Sequence, residues 1–349
     1  MSSVLLLSFL MATPADAGEV RFPEEGHAFH PVWSHDGKHL AFEVNRFAGD
    51  VELFIAGVSG DISDAAVKVS LPASGSAFGG SKGNVAANPT WHKDGFALFE
   101  AANQGGKYRL YFVQPGGGTP SEFIPTTQMG GNLTFATISA DGQTAAFVSD
   151  QTGHGDVYAL NTQTSAMTQL TSHDGTESFP LYKGSGNELL FTRKKQDAED
   201  AFSLSLSTYD EKLIGSGAGD QTRPVYAGST LLYFSSERGL GTWDMIATAP
   251  NGTKMTLGKS VKLPHRSRPA VSPDGKWVAY VYDDPSKAGE VLLSRVDGSK
   301  TVRIPTSFEA CGEPAISQTN GRTILAFTAL PSSGADWRFL YLMDISDKL

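Results

Sequence analysis

A pattern that returns roughly every 45 residues limits this chain more than any local motif does. The stretch RPAVSPDGKWVAYVY, residues 268–282, reads as a strand, a tight Asp-Gly turn and a second strand. Six other stretches echo it, and the seven copies begin at His30, Asn88, Phe135, Phe179, Arg223, Arg268 and Glu313. Successive starts lie 58, 47, 44, 44, 45 and 45 residues apart. A period of about 45 is the length of one four-stranded propeller blade. The sequence therefore predicts an all-β chain, a seven-bladed β-propeller built of four-stranded antiparallel blades.

The columns of the repeat have physical meaning. The second position is Pro31, Pro89, Ala136, Pro180, Pro224, Pro269 and Pro314. Two residues later stand Trp33, Trp91, Ile138, Tyr182, Tyr226, Val271 and Ile316, large apolar side chains suited to a wedge between neighbouring blades. The second strand carries an aromatic column of Phe42, Phe99, Phe147, Phe191, Phe234, Tyr280 and Phe327. Between the two columns, Asp36-Gly37, Asp94-Gly95, Asp141-Gly142 and Asp274-Gly275 supply hairpin turns. Gly accepts positive φ there and Asp bonds the local backbone. Gly186 and Asn320-Gly321 serve the same purpose, whereas the Arg223 copy lacks the Asp and has a shorter turn. A third strand follows, such as VELFIAGV from Val51 or DVYALN from Asp156, and then a shorter fourth, such as MTQLT from Met167 or TVRIP from Thr301.

The pattern x-Pro-x-x-Ser-x-Asp-Gly-Lys-x-aliphatic-Ala-aromatic, followed by a Gly loop and a DVYALN-type strand, resembles the TolB-like propeller repeat, a relative of the WD repeat. Ser272-Pro273-Asp274-Gly275-Lys276 is its strongest copy. The resemblance spans residues 18–349 and implies a single propeller domain. It leaves function open, because related propellers include periplasmic scaffolds, accessory domains of peptidases and some lyases.

The last repeat ends at Leu349 after three strands, and Gly18–Phe22 offers one spare strand before the first Pro. That strand is expected to complete the last blade and latch the ring. Residues 4–12, VLLLSFLMA, followed by Ala15-Asp16-Ala17, read as a signal peptide over residues 1–17, cleaved near Ala17/Gly18. No Lys or Arg precedes the apolar run. The protein is then expected to be exported, in the periplasm or an equivalent compartment, with no membrane span. Cys311 is the only cysteine, which rules out an intrachain disulfide and reads as a small packed side chain. A net charge of −9, dispersed along the chain, disfavours nucleic acid as a partner. The Gly/Ser/Ala-rich stretch 73–87 accounts for the longer first interval and reads as a loop. KKQDAED, residues 194–200, reads as a charged tip between strands.

No nucleophile elbow, zinc motif or phosphate loop occurs, and Ser185 sits among turn glycines. His92 and Lys183 stand where the repeat more often has Ser or Ala. The strongest site is collective. The residues before each Pro are expected at the start of the innermost strands, so that His30, Asn88, Phe135, Phe179, Arg223, Arg268 and Glu313 ring one mouth of the channel. The lead-in loops add His27, Glu177, His265 and Arg266. One reading makes this rim a surface that binds a peptide or protein segment. The other has Arg223, Arg268 and Glu313 pair around the channel and satisfy strand ends. The resemblance implies a non-catalytic scaffold, without metal or cofactor, that presents this rim to envelope or periplasmic proteins. The alternatives are a channel-centred carbohydrate lyase or hydrolase, for which His27, His30 and His265 would have to converge on a metal, and a substrate-filtering accessory protein of a peptidase.

Overall fold

The computed structural model describes residues 17–22, 25–46, 49–71, 84–102, 106–124, 129–184, 186–215, 219–236 and 241–349. Residues 1–16 of the expected signal segment, Ser185 and all but the end of the 73–87 loop lie outside these residues. Val85–Ala87, expected in that loop, instead open the strand Val85–Trp91.

Every described element except one short 3-10 turn, Pro285–Lys287, is a β-strand. The strands form four-stranded antiparallel sets in sequence order. Leu133–Ile138, Thr144–Ser149, Asp156–Asn161 and Met167–Gln169 make one. Thr176–Lys183, Glu188–Lys195, Ala198–Ser205 and Glu211–Leu213 make the next, and the Arg223 and Arg268 repeats follow suit. The first two repeats are joined into one nine-stranded sheet, because Val51 and Val85 pair in parallel across the inserted stretch. In the last set, Gly18–Val20 pairs antiparallel with Phe339–Asp344, placing Gly18 opposite Leu342 and Val20 opposite Leu340. No described helix is long and apolar enough to cross a membrane.

The hairpin turns close as the Ser-x-Asp-Gly motif dictates. Ser272 Oγ donates to Asp274 Oδ1 at 2.6 Å, and accepts from the Trp277 amide at 3.0 Å. Asp274 Oδ1 also accepts from the Lys276 amide, while Gly275 adopts φ +68° and donates its N–H to Ser272 O. The Ser34 and Ser139 turns repeat this network. Four backbone and side-chain groups are satisfied within one tight turn, which fixes the register of both strands.

The core lies between repeats. Side chains on a strand alternate sides, so each second strand feeds two apolar clusters. Leu189 and Phe191 pack towards the preceding repeat with Ala146 and Val148, whereas Leu190 packs with Leu231 and Tyr233 of the following one. One such cluster joins the last repeat to the first: Leu40 and Phe42 meet Ile324, Ala326 and Leu340. The wedge column behaves as expected, and Trp33 and Trp91 also donate their indole N–H to Ala315 O and Val32 O of the preceding repeat.

The aromatic column needs one correction. Leu190 pairs with Leu181, but Leu232 pairs with Val225, and Thr222 faces Phe234 as Ser178 faces Thr192. In the Arg223 repeat the column residue is therefore Tyr233, and Phe234 points to the following repeat. Its shorter turn shifts the aromatic alignment by one residue, and one residue exchanges the faces of a strand.

Phe191 is fully buried, so Phe191→Ala should cost about 3–5 kcal/mol in urea unfolding, against about 1–2 kcal/mol for Ser272→Ala, which removes hydrogen bonds from a turn.

Candidate functional site

Six of the seven column residues do not start the innermost strands; they sit inside them. His30 is the fourth residue of His27–Trp33, and Asn88, Phe135, Phe179, Arg223 and Glu313 occupy matching interior positions. At each the ladder slips, as between Phe29 and Val32 or Thr222 and Val225. At each the backbone is left-handed, with φ from 45° to 55°. These are β-bulges. A non-glycine residue there costs about 1 kcal/mol, and none of the six is Gly.

The bulge turns an N–H away from its own sheet. In three of the six, a side chain of the preceding repeat accepts it from the position after the aromatic column. Glu43 Oε1 takes the Asn88 amide at 2.9 Å, Glu100 Oε2 takes that of Phe135 at 2.8 Å, and Thr192 Oγ1 takes that of Arg223 at 2.9 Å. This acceptor column escaped the sequence reading. Its signal was present, an acid directly after Phe42 and Phe99 inside an otherwise apolar strand. Glu43 is fully buried and also binds His30 Nδ1 at 2.6 Å. Glu100 is buried too, and desolvation raises its pKa in spite of its hydrogen bonds and the nearby Arg266.

The sixth copy departs. Arg268 is absent from the left-handed set, and its first strand shrinks to Ala270–Val271. The strongest sequence copy of the motif thus has the shortest first strand. The end of Lys254–Val261 takes over its place, with Val261 bridging Tyr282 and the Lys262 amide donating to Val281 O. The displaced segment 263–268 is bonded across the channel instead. Arg266 Nη1 reaches Glu100 Oε1 at 3.3 Å, 166 residues away in sequence, and Arg268 Nη2 donates to Pro180 O. Arg223 holds the segment from one side, donating to the carbonyls of Pro264, His265 and Ser267 while its guanidinium lies over the Phe179 ring. Glu313 holds it from the other, accepting from the His265 amide and Ser267 Oγ.

Two cavities flank this segment. One, of about 350 Å³, opens beside it and is floored by Phe29, Phe234, Ala279 and Tyr280, with Lys262, His265, Glu313 and Arg338 at its polar edge. The second, of about 320 Å³, lies in the channel and brings together His30, Asn88, Phe135, Phe179, Arg266 and Arg268. Arg268 lines both. Arg223 and Glu313 thus engage the displaced segment, and among the described residues Arg223, Arg268 and Glu313 form no ion pair with one another.

Other expected residues fall elsewhere. Glu177 is not on a lead-in loop; it is fully buried on a strand, bound by Arg193, which also forks onto Glu211. His27 packs against Trp337 and His265 against Phe29, while His30 is tied to Glu43. Among the described residues no three His, Cys, Asp or Glu side chains are placed to share a metal. His92 lies at a repeat interface, stacked on Phe96 and bonded to Gly142 O. Lys183 pairs with Glu188 and covers the Tyr226 ring. Cys311 is buried, and burial pushes its thiol up to about 11, away from thiolate chemistry.

The TolB beta propeller domain family matches residues 63–257. The Tol-Pal system protein TolB of Francisella tularensis is 26% identical over 236 residues, 64% of this chain and 52% of that protein, so the match spans about half the relative's length. Among solved structures, TolB from Acinetobacter baumannii superposes with a TM-score of 0.56 at 16% identity, covering 82% of this chain and 65% of that one. An oligogalacturonate lyase in complex with manganese gives 0.62 at 14% identity, covering 95% of both chains. At such identities the structural likenesses establish the fold alone.

A raised folded-state pKa means that Glu100 contributes stability below its unfolded value near 4.5, and that this contribution is lost as pH rises through the folded value. The stability of Glu100→Gln relative to wild type should therefore increase from pH 4 to pH 7 in urea unfolding; a flat or falling difference contradicts the assignment.

Proposed function

Because the chain belongs to the TolB beta propeller domain family, we propose that it is an exported, non-catalytic scaffold that binds another protein of the cell envelope at one mouth of its channel. In this reading the seven repeats are seven blades, and the Gly18–Val20 strand closes the ring by pairing with the last. A closed ring displays many loops on one rigid face, with little rearrangement on binding. The Francisella relative carries the name of a Tol-Pal system protein, which supports an envelope setting.

One observation carries the rim assignment. Six residues before the Pro positions keep full side chains in a backbone region that favours glycine. Strain retained at matching places around one channel points to a use for those side chains. Arg223 and Glu313 use theirs to hold the displaced segment, which in turn shapes the 350 Å³ cavity at the mouth. An apolar floor with a charged edge suits an inserted side chain or chain end of a protein partner. The contacting residues at that mouth are then Phe29, Lys262, His265 and Arg338, with Arg223, Arg268 and Glu313 positioning them.

The test uses mature protein as bait in cross-linked cell envelopes, beside a Lys262→Glu/His265→Glu variant whose exposed side chains leave the fold intact. A protein retained by wild type and reduced at least about tenfold with the variant, or about 1.4 kcal/mol, is the expected result. Equal retention by both removes the site from this mouth, and no retention by wild type removes the scaffold reading.

A further inference from the structure

The displaced segment leaves two arginines in an unusual position. Arg268 and Arg223 are close enough that the charge of Arg223 adds to burial in lowering the Arg268 pKa to about 10. Arg223 is lowered to about 10 as well, chiefly by burial. Among the described residues neither forms an ion pair with a carboxylate. Their guanidinium groups bond only to carbonyl oxygens, and the Nε of each is buried without an acceptor. Buried cations are normally paired, because an unpaired charge out of water is costly. The other buried arginine in this part of the fold, Arg193, shows the usual solution with two glutamates.

We propose that the channel cavity binds a small carboxylate carried on an aromatic body, with the carboxylate on Arg268 and the ring against Phe135 and Phe179. Arg268 lines this cavity and its guanidinium keeps a donor without an acceptor at Nε, the kind of group that a carboxylate bonds. Asn88 lines the same cavity, is 8% exposed, and holds its amide nitrogen buried with no acceptor at hydrogen-bond geometry, although it lies near enough to favour the charged form of Glu100. Phe135 and Phe179 form a tilted pair with centroids 4.7 Å apart and line this cavity beside Arg268. That surface gains from an apolar or aromatic ligand body. A cavity of about 320 Å³ is at the small end of ligand pockets.

The charges also orient the ligand. Glu43 and Glu100 are already engaged, by His30 and the Asn88 amide, and by the Phe135 amide and Arg266. As acceptors already in use they offer an anion no donor on the side of the first two repeats, which leaves the Arg268 side as the favourable one. The inference concerns the channel, not the mouth, and stands whether or not a protein partner docks there.

Calorimetric titration of the mature protein at pH 7 with benzoate, its neutral counterpart benzamide, and inorganic phosphate tests it. Benzoate should bind with a Kd at or below about 1 mM, with benzamide and phosphate each weaker by about tenfold or more. Arg268→Gln should weaken benzoate by about tenfold or more while the weak binding of benzamide stays unchanged. Asn88→Ala, expected to weaken benzoate about threefold or more, keeps the test open if Arg268→Gln does not fold, with thermal unfolding reporting the fold of both. No heat from wild type up to about 20 mM benzoate, about 2.3 kcal/mol of binding, overturns the proposal. Equal affinity for benzamide, tighter binding of phosphate, or undiminished benzoate binding by a folded variant overturns it as well.

Discussion

One interaction recurs at the inner surface of this protein: in three repeats a backbone N–H, freed by a left-handed bulge residue, finds an acceptor on the neighbouring repeat. Glu43, Glu100 and Thr192 play that part for Asn88, Phe135 and Arg223. A buried amide without a partner costs a few kcal/mol, so each such bond locks one repeat to the next at the channel wall. Farther out, the apolar clusters perform the same joining by packing. The result is a sequence of similar sheets whose inner edges are fixed by polar bonds and whose faces are fixed by burial.

The Arg268 repeat departs from the others. At the acceptor position of its preceding repeat stands Phe234, a bulky ring, placed there by the shortened turn of that repeat. The segment before Pro269 leaves the sheet, and the strand Lys254–Val261 extends to bond the exposed backbone of Val281. Four long side chains then secure the displaced segment: Arg223 and Glu313 on its backbone, Arg266 on Glu100 and Arg268 on Pro180. Both cavities of the candidate site border this segment.

Much of the fold was legible in the sequence because its causes are local and repeated. The period set the sheets, Ser-x-Asp-Gly set the turns, and period-two burial set the contacts between repeats. Phe234 was placed in the aromatic column, where Tyr233 stands, because both are aromatic and only strand pairing separates them. Six of the seven residues picked out before the Pro column share one backbone position. Their placement inside the strands was not legible, since a bulge leaves no composition signal when its left-handed residue is not glycine. The bonds of the displaced segment were beyond reach for a simpler reason: Arg266 and Glu100 are 166 residues apart, and no motif links them.

The central claim is that residues 263–268 are fixed inside the channel and do not form a free surface loop. Hydrogen exchange at the His265 amide tests it most directly, because that N–H has Glu313 as its acceptor. Protection of about 100-fold or more over a free peptide, approaching that of the strand Glu290–Arg295, is the expected result. Exchange at the free-peptide rate, with that strand still protected, would contradict it.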